Sequence, residues 1–184
     1  MTEELVDIVN LKDEIIGSEP ILTAHKLGRL HRLVEVWFYN KKGEVLLQQR
    51  HRLGPEKPQL LDFTVGGHVT SGQTYEDALF QEMREESGVE AALESFEFLT
   101  WYVPEKEDAN DLFIHTRKIW AYYFDGNISD LRFDPKELVG FEWRDISLLI
   151  RDMKTSPENF VPFLPAPTSV ELLLRIVELA KKRA

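Results

Sequence analysis

Apolar residues in this chain mostly alternate or run in short blocks, and helical spacing is confined to a few stretches. Val6–Val9 and Glu14–Gly17 flank the polar turn Asn10-Leu11-Lys12-Asp13, which predicts a small β-hairpin. Glu19-Pro20 ends it, and Ile21 to Leu27 is expected as a short helical connector. Leu33–Tyr39 and Glu44–Gln49 flank Asn40-Lys41-Lys42-Gly43, a second hairpin signal. Gly54, Pro55 and Pro58 mark the stretch from Arg50 to Gln59 as loop. Asp62–Val65 reads as a short strand entering Gly66-Gly67. From Thr74 to Ser87 the pattern is helical, opened by a Thr74/Asp77 cap and stopped by Gly88. Phe96–Val103 and Phe113–Phe124 are predicted strands joined by a polar loop. Phe141–Arg144 is a further strand and Ile146–Met153 a short helix. The last helix is expected to start at Thr168, with Glu171 three residues on as a capping box, and to run to Lys182. Strands outnumber helices and are interspersed with them, so the expected class is α+β, layered as α/β/α. No repeat or linker interrupts the pattern. A single domain over 1–184 is expected, with hairpin and connector at 1–30 and the C-terminal helix at 168–183.

Composition narrows the chemistry. The 184 residues are 43% hydrophobic and 29% charged, ordinary for a folded domain. With zero cysteines, disulfides, thiolate metal sites and cysteine nucleophiles are excluded. Twenty-two Lys+Arg against 32 Asp+Glu give a net charge of −10, which argues against general nucleic-acid binding. A phosphate ester substrate would therefore need local positive charge, and a divalent cation is the obvious source. The acidic start and the lack of a long apolar run predict neither secretory signal nor membrane span, hence a soluble cytoplasmic protein.

The informative segment is GGHVTSGQTYEDALFQEMREESGVE, residues 66–90. At roughly 100° per residue, Glu82, Glu85 and Glu86 fall on one helix face. Like charges at i, i+4 destabilise a helix by roughly 0.2–0.5 kcal/mol per pair, so this crowding suits a cation among them. Oxygen donors of this kind fit Mg²⁺ or Mn²⁺ bridging to phosphates. Leu79, Phe80 and Met83 form the expected buried face. Gly66, Gly67 and Gly72 allow a tight loop that delivers the carboxylates to a polyphosphate. An exposed acidic helix end is, taken alone, more often just solvated.

The full string resembles the Nudix box. With Gly67 as its first glycine, Glu82, Glu85, Glu86, Gly88 and Val89 fall in register. Gln73 stands where the family has Glu, and Gln81 where it has Arg. The resemblance spans roughly residues 31–145 and the box 66–89. It implies a Nudix-type α/β/α sandwich with a mixed central sheet, here carrying an N-terminal β-hairpin extension. It also implies a pyrophosphohydrolase acting on a small-molecule diphosphate with Mg²⁺ or Mn²⁺ held by Glu82, Glu85 and Glu86. Glu85, Glu86 and Glu137 become the catalytic candidates, and Arg50, Arg52, Gly67 and His68 the substrate contacts. The paired replacement by Gln73 and Gln81 removes one charge of each sign, which is expected to preserve hydrogen bonding in a competent, slower site. Related domains often pair as homodimers, although no strand here declares such an interface.

The N-terminal part also looks like the branch containing isopentenyl-diphosphate isomerase, whose Cys-Gly-His motif sits in a histidine-rich metal site. Here the cysteine position is Gly66, and Ile114-His115-Thr116-Arg117-Lys118 offers no carboxylate where the isomerase has acids. Proton transfer at an allylic carbon would lack both partners. A hydrolase is the first reading, an isomerase-like protein or a non-catalytic nucleotide-binding module the alternatives. His25, His31 and His68 could form a metal set, but nothing in the sequence shows them converging, and ordinary structural roles are expected for them. His68 is the one expected to see the active site. Among the aromatics, Phe63, Trp101 and Tyr102 are candidates to stack a base or pack a prenyl group, and Glu142 is expected to be exposed.

Overall fold

The computed structural model describes residues 4–51, 59–105, 114–136 and 138–183. Arg52 and Glu137 lie outside them. The N-terminal hairpin forms from β1 (Leu5–Val9) and β2 (Ile15–Pro20), followed by helix α1 (Ile21–Lys26). Strand β3 (His31–Tyr39) turns into β4 (Glu44–Arg50) through Gly43, whose φ is +77°. The single strand expected over 62–65 is instead two, β5 (Leu61–Asp62) and β6 (Val65–His68), separated by Phe63 and by Thr64, whose hydroxyl bonds across to Leu46 O and Phe38 N. Helix α2 (Tyr75–Glu82) precedes β7 (Phe96–Tyr102), β8 (His115–Tyr123) and β9 (Leu138–Asp145), and α3 (Ile146–Thr155) and α4 (Pro167–Lys181) complete the chain.

Strand β3 is the axis of the mixed sheet. It runs parallel to β8 along its whole length and antiparallel to β6, with further pairing to β1 and β4. Strand alternation sends its side chains to two faces. Val34, Val36 and Phe38 join Leu79, Met83 and Trp120 under α2. Leu33, Trp37 and Tyr39 join Ile119, Leu149, Leu173 and Ile176 under α3 and α4. The result is the expected α+β sandwich with helices over both faces of a mixed sheet.

Two helix boundaries differ from the sequence expectation. The regular helix stops at Glu82, and Met83–Ser87 form a π-helical turn ended by Gly88 at φ +69°. Ser87 Oγ donates to Met83 O at 2.5 Å within this wider turn, and the glycine is required both by its φ and by Arg132, whose Cβ occupies the space a side chain would need. The Thr74/Asp77 capping box is present. At α4 the box at Thr168 is not made. Ala166 is the N-cap and Pro167 the first residue, since a ring-fixed φ starts a helix without a side-chain cap. Glu142 is half-buried and accepts from Gln49 and Arg144, rather than standing free on its strand.

The N-terminal hairpin is bound into the sandwich. Asp13 adopts φ +62° at its turn, and its carboxylate accepts from Arg32 Nε at 2.8 Å and Tyr75 OH at 3.2 Å. Thr116 Oγ1 adds a third donor at 3.3 Å. One carboxylate thus ties the hairpin to β3, α2 and β8. Because breaking a shielded pair leaves an uncompensated charge, Asp13→Ala is expected to lower the unfolding free energy by about 3 kcal/mol in urea denaturation. A change below about 0.5 kcal/mol would show that the network is ornamental.

Candidate functional site

Strand β6 divides two groups of candidate ligands. Its four residues Val65-Gly66-Gly67-His68 pair with Val36, Glu35, Val34 and Leu33 in turn. Alternation therefore points Gly67 toward α2 and His68 toward the opposite face. On the α2 side, a Cβ added to Gly67 would lie 2.1 Å from Glu82 Oε1. Glycine at 67 is thus what lets the carboxylate approach the loop backbone. Glu86 Oε2 accepts from the Gly66 N–H at 2.9 Å. Glu85 is exposed and accepts from Gln81 Nε2 at 3.4 Å.

The two glutamines are connected. Gln73 Nε2 donates to Gln81 Oε1 at 2.8 Å, while Gln73 Oε1 accepts from the Thr70 N–H at 3.2 Å. A neutral amide chain thus runs from the loop backbone to Glu85 in the place of a charged pair. The loop itself is held by β1, because Asp7 accepts from Ser71 Oγ at 2.6 Å and from the Gly72 N–H at 3.1 Å.

The other face holds the residues that sequence reasoning left apart. His25, His31 and His68 converge, and His115 of β8 completes the group, with one nitrogen of each ring within 4.8 Å of the others. His115 carried a signal that went unread. It occupies the same alternation class on β8 as Arg117 and Ile119, and it stands beside His31 in the parallel register. Burial pushes the imidazoles down, His31 to about 4 and His68 to about 3, with His115 well below its ordinary value. Among the described residues, the one set of three or more donors gathered this tightly is made of imidazoles and not of the box glutamates.

Beside His115 lies a cavity of about 90 Å³, lined by Leu33, Tyr102, Pro104, Ile114, Arg117 and Phe163 as well. Arg117 is buried, donates to Glu35 Oε2 at 2.9 Å and stacks over Tyr102. Trp37 Nε1 satisfies the other oxygen of Glu35. Tyr102 thus lines a cavity, Phe63 is buried in the core, and Trp101 is exposed on β7. Arg50 Nη1 donates to the buried Asp62 at 3.0 Å, and its side chain remains half exposed. Burial still lifts the Asp62 carboxyl to about 6, the guanidinium opposing it only in part.

These shifts fix a sign for the pH dependence. The unfolded histidines bind protons near pH 6.5, whereas His31 and His68 resist them in the fold until about 4 and about 3. Unfolding therefore takes up protons below pH 6.5, and stability is lost as pH falls through that window. With chelator present, Tm is expected to drop between pH 7.5 and 5, and less steeply in His68→Asn. Equal slopes in the two proteins would contradict this assignment.

The geometry can now be set beside known proteins. A family model described as NUDIX domain matches residues 29–164. A protein named Nudix hydrolase from Deinococcus radiodurans is 29% identical over 147 residues, covering 78% of this chain and 80% of its own. An isopentenyl-diphosphate Delta-isomerase from Aliivibrio fischeri is 29% identical over 171 residues, covering 90% and 92%. Among solved structures, DR0079 from Deinococcus radiodurans superposes with a TM-score of 0.71 at 27% identity, over 94% of this chain and 98% of that one. An Ap4A hydrolase from C. elegans shares the fold at a TM-score of 0.52 and 17% identity, over 80% and 96%. With a glycine loop, a carboxylate-bearing helix and a family match across most of the chain, this protein belongs to the Nudix family.

Proposed function

We propose that this chain hydrolyses a diphosphate linkage in a nucleoside diphosphate derivative or similar small molecule, with Mg²⁺ or Mn²⁺ held by Glu82, Glu85 and Glu86. The observation that carries the reading is the seating of Glu82 against Gly67 and of Glu86 on the Gly66 N–H, which fixes two carboxylates at the mouth of the loop. An all-oxygen donor set of this kind suits a hard divalent cation. Such a cation supplies a more acidic water and neutralises charge on the bridging phosphate.

The protein's own groups do the remaining work. Glu86 keeps one oxygen on the loop backbone, so its other oxygen is oriented before substrate arrives. Glu85 or Glu86 accepts the proton of the attacking water, and Glu137, the residue that precedes β9 in sequence, is assigned to the same water. Arg50 retains N–H groups beyond the one given to Asp62, and these take phosphate oxygens. Arg52 serves the same anion. Gly67 is assigned to the substrate side of β6 beside Glu82, whereas His68 points to the opposite face and is not assigned to the substrate. Attack at one phosphorus breaks the bridging P–O bond and leaves a monophosphate and a second phosphorylated product.

Isopentenyl-diphosphate isomerisation is the weaker reading. It draws on the relatives of that name and on the imidazole group beside Gly66, but position 66 offers no thiol and Arg117 is locked to Glu35. A proton-exchange assay on isopentenyl diphosphate separates the two, with no exchange expected.

Product release across a panel of diphosphates, with Mg²⁺ or Mn²⁺, is the direct test. Turnover is expected in wild type and a fall of about 10²–10⁴-fold in Glu86→Gln. Silence of the folded protein across the panel would overturn the hydrolase reading. The amide chain has its own test, because Gln73→Glu with Gln81→Arg restores the charged pair. That double variant is expected to raise kcat by about 10–100-fold without creating activity from nothing.

A further inference from the structure

We propose that Asp62 is a positioning residue for the hydrolysis proposed above, on which this role rests: it holds the Arg50 guanidinium at the open end of β4, aimed at the phosphates of a bound diphosphate. Arg50 is the last residue of β4, and the backbone around it is already fixed. Its own N–H donates to Leu60 O at 2.9 Å. The ring of the next residue, His51, donates through Nε2 to Pro135 O at 2.6 Å. What remains free is a long, half-exposed side chain with many rotamers. Asp62 removes that freedom.

The acid is itself held rigidly. It lies on β5 opposite Gln48 and is 1% exposed. Its Oδ1 accepts from the Phe63 N–H at 2.9 Å and its Oδ2 from Arg50 Nη1 at 3.0 Å. The same stretch of chain then reaches the carboxylates. Two residues on, Thr64 is pinned between Leu46 O and the Phe38 N–H, and four residues on, the Gly66 N–H holds Glu86. One short segment, paired first to β4 and then to β3, therefore sets both a guanidinium and a box glutamate.

A purely structural ion pair does not account for an acid at 62. Burial lifts its carboxyl to about 6; Arg50 on β4 and the Phe63 N–H oppose this only in part, and Glu35 on β3 adds to it. The folded value lies above the ordinary one, so the ionised acid works against the fold at neutral pH. An amide of the same shape would still accept from Phe63 without a buried charge. Attraction does not account for it either, because a negative charge behind an anion site weakens that site. Orientation does. A guanidinium anchored through one N–H presents the others in a fixed plane, and less rotamer freedom is lost when a phosphate binds.

The test compares full-length wild type, Asp62→Asn, Arg50→Ala and the double variant, with Mg²⁺ present. Calorimetry follows methylenediphosphonate, whose P–C–P bridge cannot be hydrolysed, and steady-state kinetics follow any substrate turned over in the diphosphate panel. Asp62→Asn is expected to raise the diphosphonate Kd and the KM about 3–10-fold, the scale of ordering one long side chain. Its kcat should stay within about twofold, since the lost contact is made before and during reaction alike. In the Arg50→Ala background the same substitution should change neither constant. The gap in Kd between wild type and Asp62→Asn should close below about pH 6, where Asp62 takes up its proton, and the ligand's own titration cancels in that comparison. At pH 7.5 the Tm of Asp62→Asn should be unchanged or raised. Tighter or unchanged diphosphonate binding with unchanged KM, an equal effect without Arg50, loss of the fold, or a Tm lowered by more than about 4 °C would overturn the proposal. A wild type that neither binds the diphosphonate nor turns over any substrate overturns the hydrolase reading and this role with it. An active wild type beside an indistinguishable Asp62→Asn overturns this role alone.

Discussion

A carboxylate buried in the middle of the sheet must be matched, and Glu35 sets that condition here. It is 1% exposed, on a strand whose two faces both lie under helices. Its oxygens are taken by Arg117 and Trp37, so β8 must lie beside β3 in one register and the guanidinium must stay in the interior. A shift of one residue would turn Arg117 to the α2 face and leave Glu35 unpaired. The same register brings His115 next to His31, and the cavity wall formed by Arg117, Tyr102 and Phe163 follows from it. Satisfying one acid thereby orders a whole face of the molecule.

The two groups of candidate donors differ because they sit on opposite sides of β6. The glutamates stand on a helix end that opens into a π-helical turn, where side chains reach solvent and can meet an incoming anion. The histidines stand on strands and on one short helix, mostly shielded from water. Oxygen donors thus stand at an open rim and nitrogen donors in an enclosed space, on the two sides of a strand that carries two adjacent glycines.

Much of the fold was legible because its elements are regular. The hairpin, the β3–β4 pair, the helix after the glycine loop and the strands at 96 and 115 follow from period and turn chemistry. The failures share a cause. The π-helical turn at Met83–Ser87 depends on a bond from Ser87 to its own backbone and on Arg132 packed against Gly88, neither visible in a hydrophobic pattern. The start of α4 was misplaced because Thr168 and Glu171 match a capping motif while Pro167 determines the geometry. The closeness of the three carboxylates was legible because their relation is local, although Glu85 and Glu86 stand in a π-helical turn rather than on the expected regular helix. The histidines were not, because their convergence is a long-range property of strand register, and His115 lies 90 residues from His25 in the sequence.

The clasp of Asp7 on Ser71 and Gly72 has a kinetic meaning. These partners are 64 and 65 residues apart, so the bonds close a long loop and carry a larger chain-entropy cost than a local turn contact. Contacts of such high sequence separation slow folding where they belong to its rate-limiting step, so the order of the glycine loop is tied to the N-terminal strand rather than to its own local sequence.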